Sequence, residues 1–183
     1  ARNLLEPGDA ILLRELHWGP YNTIAKECGI NTATWPLTGD DSQIDEEALT
    51  SMMGQLMKDQ DNILSWLNDP AHNPTGMSLT SESRERVLSI FADAATNNPD
   101  KGVTLFIDGA YAAYSKERHG WGKTLSEFAK ECIWPNNLLV CYGFSASKSH
   151  TLYGQRCGAL VMMHPNRAFV DKLVEVMLHT GRG

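Results

Sequence analysis

The fold is decided by "GVTLFIDGAY", residues 102–111. Its first six residues form a nearly continuous apolar run that ends on the carboxylate of Asp108. Such a run is typical of a strand that is covered on both faces, as in a parallel sheet. A carboxylate is costly to bury at this position unless a cation or a hydrogen-bond donor accompanies it. Asp108 is therefore either a structural acceptor, such as a helix N-cap, or an anion that holds a proton on the ring nitrogen of a ligand.

Five further strand-like runs lie on either side of this one, and helix-like segments separate most of them. They are residues 10–16, 31–37, 62–68, 137–143 and 157–163. The alternation predicts an α/β sandwich with a mostly parallel sheet. Ligands of such sheets bind beyond the carboxyl ends of the strands, so the polar residues that follow each strand are the candidate site.

Helix start signals fill the intervals between the predicted strands. The signals are Pro20, Asp45, Thr80 or Ser81, the capping-box pair Thr124 and Glu127, and Pro165. They predict five helices, of which the fourth begins just before Phe128.

Three candidate ligand-binding residues follow the predicted strands. Trp18 in "HWGPY" (17–21) either packs in the core or stacks on an aromatic ligand. Asn73 in "AHNPTG" (71–76) precedes a proline, which favours extended backbone, and it is either a turn residue or an amide donor to a ligand oxygen. Tyr111 follows Asp108 by three positions and is either a core tyrosine or a second group in the same pocket.

Lys148 lies among serines in "FSASKSHTLYGQRCG" (144–158). It is either a solvated loop lysine or an amine that forms a Schiff base, which requires a pKa lowered by burial or by a neighbouring cation. Arg156 is a candidate for that cation and also for a phosphate ligand. Ser145 and Ser147 could hydrogen-bond the same phosphate.

Together these residues require a ligand with an aromatic ring, a nitrogen in that ring, an oxygen attached to the ring, an aldehyde and a phosphate. Pyridoxal 5′-phosphate has all of these parts. The motifs "HWGPY", "AHNPTG", "DGAY" and "SASKSHTLYGQRCGA", taken in this order, resemble those of the class I/II aminotransferases, the aspartate/aromatic aminotransferase group of fold type I pyridoxal-phosphate enzymes. The resemblance implies a three-layer α/β/α sandwich, the large domain of a pyridoxal-phosphate-dependent transferase.

The resemblance implies a role for each candidate residue. Lys148 would hold the cofactor as an internal aldimine, and Asp108 would keep its ring nitrogen protonated. The remaining cofactor ligands would be Asn73 and Tyr111 at the ring oxygen, Ser145 and Arg156 at the phosphate, and Trp18 against the ring. Lys148, Asp108 and Tyr111 would be the catalytic residues, and Trp18, Asn73 and Arg182 would contact substrate. The Asn73–Pro74 bond is expected to be cis.

The resemblance also implies an activity, which is amino-group transfer between an amino acid and a 2-oxo acid, and a homodimer. Residues 1–183 would be part of the large domain, with the Gly-rich phosphate loop and the small C-terminal domain absent. Arg182 would either reach the neighbouring subunit's site and bind the distal carboxylate of dicarboxylic substrates, or be an ordinary loop arginine.

Two other activities remain open for the same residues. One is a pyridoxal-phosphate lyase, and the other is an aminotransferase-like domain of a transcription regulator that senses the cofactor.

The net charge of −6 without a basic stripe argues against nucleic-acid binding by these residues. The four cysteines, Cys28, Cys132, Cys141 and Cys157, form no CxxC pair and predict free, reduced thiols in a cytoplasmic protein. The absence of a long apolar run predicts no membrane span, the chain opens without a signal-peptide pattern, and the scattered histidines predict no metal site.

Overall fold

The computed structural model describes residues 1–37, 44–117 and 119–180. Within these ranges a six-stranded sheet has the strand order β2-β1-β3-β4-β5-β6. The strands are β1 (Ala10–Arg14), β2 (Asn31–Trp35), β3 (Asn62–Asn68), β4 (Gly102–Asp108), β5 (Leu138–Ser145) and β6 (Gly158–Met163). Strands β1 to β5 pair in parallel, and β6 is antiparallel to β5. The predicted mostly parallel sheet is confirmed.

Helices connect the strands in the predicted alternation. They are α1 (Pro20–Glu27), α2 (Glu46–Asp59), α3 (Ser81–Asn97), α4 (Gly120–Glu131), the short α5 (Ala146–Ser149) and α6 (Arg167–Thr180). Two of the predicted caps form. The Asp45 carboxylate accepts from the Ala48 N–H at 2.8 Å, and the Thr80 hydroxyl accepts from the Ser83 N–H at 3.1 Å.

The capping box predicted at Thr124 and Glu127 is wrong, because α4 already begins at Gly120. Thr124 lies inside the helix, where its hydroxyl donates to the Gly120 carbonyl at 3.0 Å. The buried Trp121 indole N–H donates to the Asp69 carboxylate at 2.6 Å. This tertiary contact holds the first turn of α4 upstream of the local capping signal.

Helices cover both faces of the sheet and make three layers, as expected. On one face, β-strand side chains pack against α2, α3 and α4 in the larger core, whose members include Leu12, Met53, Leu67, Leu88, Phe91, Leu105 and Val140. On the other face, Leu13 and Leu64 pack against Tyr21 and Ala25 of α1, and Cys141 packs near Leu173 of α6. Full burial of each large apolar side chain contributes about 1.5–3 kcal/mol.

A buried ion pair joins the loop after β3 to α3. Arg84 Nε lies 3.0 Å from Asp69 Oδ2, and both side chains are only 1% exposed. The Asp69 carboxylate also accepts from the Leu79 N–H at 2.7 Å, and Arg84 Nη1 lies 2.8 Å from Glu117 Oε2. Burial raises the pKa of Asp69, while the donors of Leu79, Arg84 and Trp121 oppose that rise. The ion pair holds the start of the loop that carries Asn73.

Removing this charge is expected to destabilise the fold. Asp69→Asn should lower the free energy of unfolding by about 3–5 kcal/mol, because Arg84 would remain buried without its main counter-charge. Chemical denaturation of the complete protein measures the change. Asp61→Asn is the matched control, since Asp61 pairs with Lys101 at 2.8 Å but is 86% exposed, and it should change stability little. Equal effects of the two substitutions would contradict the prediction.

Candidate active site

The candidate residues meet at one edge of the sheet. Because β1, β3, β4 and β5 are parallel, their carboxyl ends lie side by side, and Asp108 pairs with Asn68 on one side and Gly143 on the other. Trp18, Asn73 and Lys148 follow the ends of β1, β3 and β5. Residues that are far apart in the sequence are therefore neighbours at this edge.

Among the described residues, two donors hold the Asp108 carboxylate. Oδ1 accepts from the Ala110 N–H at 3.0 Å, and Oδ2 accepts from the Tyr21 hydroxyl at 2.5 Å. Asp108 is half-buried and lines a cavity of about 460 Å³ together with Ser145. The side chain does not cap a helix, since the next helical turn, Ala112–Tyr114, has Tyr111 at its N-cap position. Its orientation is fixed toward the cavity side of the sheet.

Asn68, which the sequence reasoning missed, connects two of the candidate residues. Its Nδ2 donates to the Asp108 carbonyl at 2.9 Å, and its Oδ1 accepts from the Asn73 N–H at 2.6 Å. The side chain is 4% exposed. An asparagine at a strand end looks like an ordinary turn residue in the sequence, and no local pattern marks its long-range contact.

Asn73 and Tyr111 are in direct contact. Asn73 Nδ2 donates to the Tyr111 hydroxyl at 3.3 Å. The Asn73–Pro74 bond is cis, as expected. An amide and a phenol side by side form a pair of donors that suits one ligand oxygen.

Lys148 and Arg156 lie on the same aromatic ring. Lys148 Nζ is 5.8 Å from the centroid of the Tyr153 ring, and Arg156 Cζ is 5.0 Å from it. Lys148 is exposed and lies in α5, whose N-cap is Ser145. The structure therefore places both cations against one aromatic side chain. Tyr153 was not singled out from the sequence, where it is one aromatic residue in a polar loop.

A chain of two tyrosines links the lysine to the carboxylate side of the site. The Tyr114 hydroxyl donates to the Lys148 carbonyl at 2.7 Å. The centroid of the Tyr114 ring lies 6.4 Å from that of the Tyr111 ring. The short turn that follows Asp108 thus contacts both halves of the site.

Trp18 is 39% exposed and packs edge-on against Tyr21, with 5.6 Å between the ring centroids. Part of its surface remains available for stacking, and Tyr21 places it near Asp108. Arg182, the expected substrate ligand, lies outside the described residues.

A larger cavity, of about 840 Å³, lies between α4, β6 and α6. Its walls include Trp121, Trp134, Val161 and Met162. The carboxyl edge of the sheet is the better candidate site, because there a fixed carboxylate, paired amide and phenol groups, and two cations come together.

In the described ranges, no group of three or more His, Cys, Asp or Glu side chains is placed to hold a metal ion. No helix of that part of the chain is both long and apolar enough to cross a membrane.

The model of the family "Aminotransferase class I and II" matches residues 1–180. The chain belongs to this family. This chain is 28% identical over 172 residues to an aromatic-amino-acid aminotransferase of Pseudomonas aeruginosa, covering 93% of itself and 38% of that protein. It is 25% identical over 155 residues to a cytoplasmic aspartate aminotransferase of Saccharomyces cerevisiae, covering 83% of itself and 34% of that protein.

A solved structure is also similar. The crystal structure of an aminotransferase from Anaerococcus prevotii superimposes with a TM-score of 0.89 at 31% identity, over 98% of this chain and 43% of that one. The chain therefore spans less than half the length of each of these three relatives. Its fold and family are those of the class I and II aminotransferases.

Proposed function

We propose that the complete protein is a pyridoxal-phosphate-dependent aminotransferase that moves an amino group between an amino acid and a 2-oxo acid. The observation that carries the proposal is the convergence, at one edge of the sheet, of a carboxylate with fixed orientation, Asp108, and an exposed amine, Lys148. Family membership over residues 1–180 supports the same activity.

Lys148 would hold the cofactor covalently through Nζ, and the same amine would move the proton at the substrate Cα. Asp108 would hold a proton on the ring nitrogen. When bound, the cofactor supplies an electron sink for the charge that develops at Cα. The Asp108 charge favours that sink by electrostatic stabilisation inside a partly buried site.

The other candidate residues bind and orient. Asn73 and Tyr111 are proposed to donate to the oxygen substituent of the cofactor ring. Their 3.3 Å contact supports this role, because it brings the two donors side by side. Ser145 and Arg156 bind the phosphate, as hydroxyl and guanidinium donors suit its oxygens. Trp18 offers its exposed surface to the ring and to substrate.

The protein is further proposed to be a cytoplasmic homodimer. The name of the yeast relative, a cytoplasmic aspartate aminotransferase, supports the location. The dimer follows from the family resemblance.

A substrate screen tests the proposed reaction. The complete protein with pyridoxal phosphate is incubated with one amino acid and a series of 2-oxo acids, and new amino acids are detected by mass spectrometry. Transfer of the amino group to at least one 2-oxo acid is expected. Release of ammonia and a cleaved product without transfer would instead identify a lyase.

Arg182 is expected to select dicarboxylic substrates. Arg182→Ala should lower kcat/KM for aspartate or glutamate about 10–100-fold more than for an aromatic amino acid, since a guanidinium binds a carboxylate through two charge-assisted hydrogen bonds. Arg167→Ala is the control, because Arg167 is an exposed arginine of α6 that pairs with Asp171 at 2.7 Å. Equal loss for both substrate types would leave Arg182 as an ordinary loop residue.

A further inference from the structure

Tyr21 makes a short hydrogen bond to Asp108 that none of the roles proposed above uses. Its hydroxyl donates to Asp108 Oδ2 at 2.5 Å, although the two residues lie on separate elements, α1 and β4. The Tyr21 side chain is 5% exposed. The bond is therefore shielded from water. A hydrogen bond to a charged group is stronger in such a buried site than at the surface.

The position of the Tyr21 hydroxyl is set by ring packing. The centroids of the Tyr21 and Trp66 rings are 5.0 Å apart, and the angle between the ring planes is 60°. The corresponding values for Tyr21 and Trp18 are 5.6 Å and 89°. The His17 ring stacks at 6.4 Å from it. Three aromatic neighbours leave the ring little freedom, so its hydroxyl points to one place.

Tyr21 remains a donor. Burial and the negative charge of Asp108 both raise the pKa of Tyr21 well above its ordinary value. The phenol therefore keeps its proton and cannot become a second anion beside the carboxylate.

We infer that Tyr21 is a positioning residue that holds the Asp108 carboxylate toward the protonated ring nitrogen of the cofactor. This inference rests on the proposed function. Without the hydroxyl, the Ala110 N–H at 3.0 Å would be the remaining donor to this carboxylate among the described residues. The same tyrosine contacts Trp18, so one side chain sets both the partner of the ring nitrogen and the surface on which the ring stacks.

Binding of two ligands to cofactor-free complete protein tests the inference. One ligand is pyridoxal 5′-phosphate, and the other is the analogue in which a C–H group replaces the ring nitrogen. Both retain the aldehyde and the phosphate, so only the contact to Asp108 differs between them. Tyr21→Phe keeps the packed ring and removes only the hydroxyl.

Tyr21→Phe should weaken binding of pyridoxal phosphate about tenfold, the loss expected for a hydrogen bond to a charged group, and leave binding of the analogue unchanged. The dissociation constants are measured by absorbance titration. Tyr142→Phe is the matched control, because Tyr142 is a half-buried tyrosine of β5 that packs on the opposite face of the sheet. It should bind both ligands as the unmodified protein does.

Two results would overturn the inference alone. One is an equal loss for both ligands, which would mean that the hydroxyl only supports the fold, and the other is no loss for either. Failure of the unmodified protein to bind pyridoxal phosphate would instead overturn the proposed function as well. Binding of the analogue also reports directly that the variant is folded.

Discussion

Replacing Lys148 with alanine is expected to abolish the covalent adduct that borohydride traps between the complete protein and pyridoxal phosphate. The adduct requires an amine that is accessible to the aldehyde, and Lys148 is exposed beside the Tyr153 ring, which Arg156 also contacts. Turnover should fall at least about 10²–10⁴-fold, the contribution of a positioned acid–base group. Mass spectrometry of the trapped protein and steady-state assays measure the two effects.

Lys123→Ala is the matched control for this experiment. Lys123 is an exposed lysine of α4, 3.9 Å from Glu127, and its loss should leave the adduct intact. Trapped cofactor that maps to Lys123 or to another lysine would contradict the role proposed for Lys148.

The second large effect is expected at Asp108. Asp108→Ala should cost about 2–4 kcal/mol or more of transition-state stabilisation, the scale of removing a preorganised electrostatic group. The measurement is kcat/KM with the best substrate of the screen. The variant also loses an acceptor of the Tyr21 hydroxyl and the Ala110 N–H, so its melting temperature is measured in parallel.

Asp171→Ala is the control for the loss of a carboxylate. Asp171 lies in α6 and pairs with Arg167 at the surface, where both side chains are more than half exposed. Its removal should leave kcat/KM unchanged. Near-normal turnover of Asp108→Ala would rule out the role proposed for this carboxylate.

Much of the sheet could be predicted because its signals are local. The apolar runs at residues 62–68 and 102–108 coincide with β3 and β4, and the polar residues that end them, Asn68 and Asp108, lie at the carboxyl edge. Strands that are covered on both faces are mostly apolar, so they are visible in the sequence. Asp108 and Lys148 could be singled out for the same reason, since each follows such a run.

Tyr21, Asn68 and Tyr153 could not be found in the same way. Tyr21 reads as an ordinary first-turn residue of α1, and its contact to Asp108 spans 87 positions in the sequence. Such contacts depend on how strands order themselves in the sheet, which periodicity does not specify. The predicted start of α4 was wrong for a related reason, because the buried contact between Trp121 and Asp69 outweighs the capping signal at Thr124.

The contacts of the Asn68 side chain restrict which amino-acid substitutions this site can accept. It bonds the backbone of Asn73 and the backbone of Asp108 at once, so one substitution at position 68 removes the support of two candidate site residues. The effects of substitutions at positions 68, 73 and 108 on ligand binding are therefore not expected to add, as is usual for residues in one hydrogen-bonded network. A mutant library of this site should vary the three positions jointly.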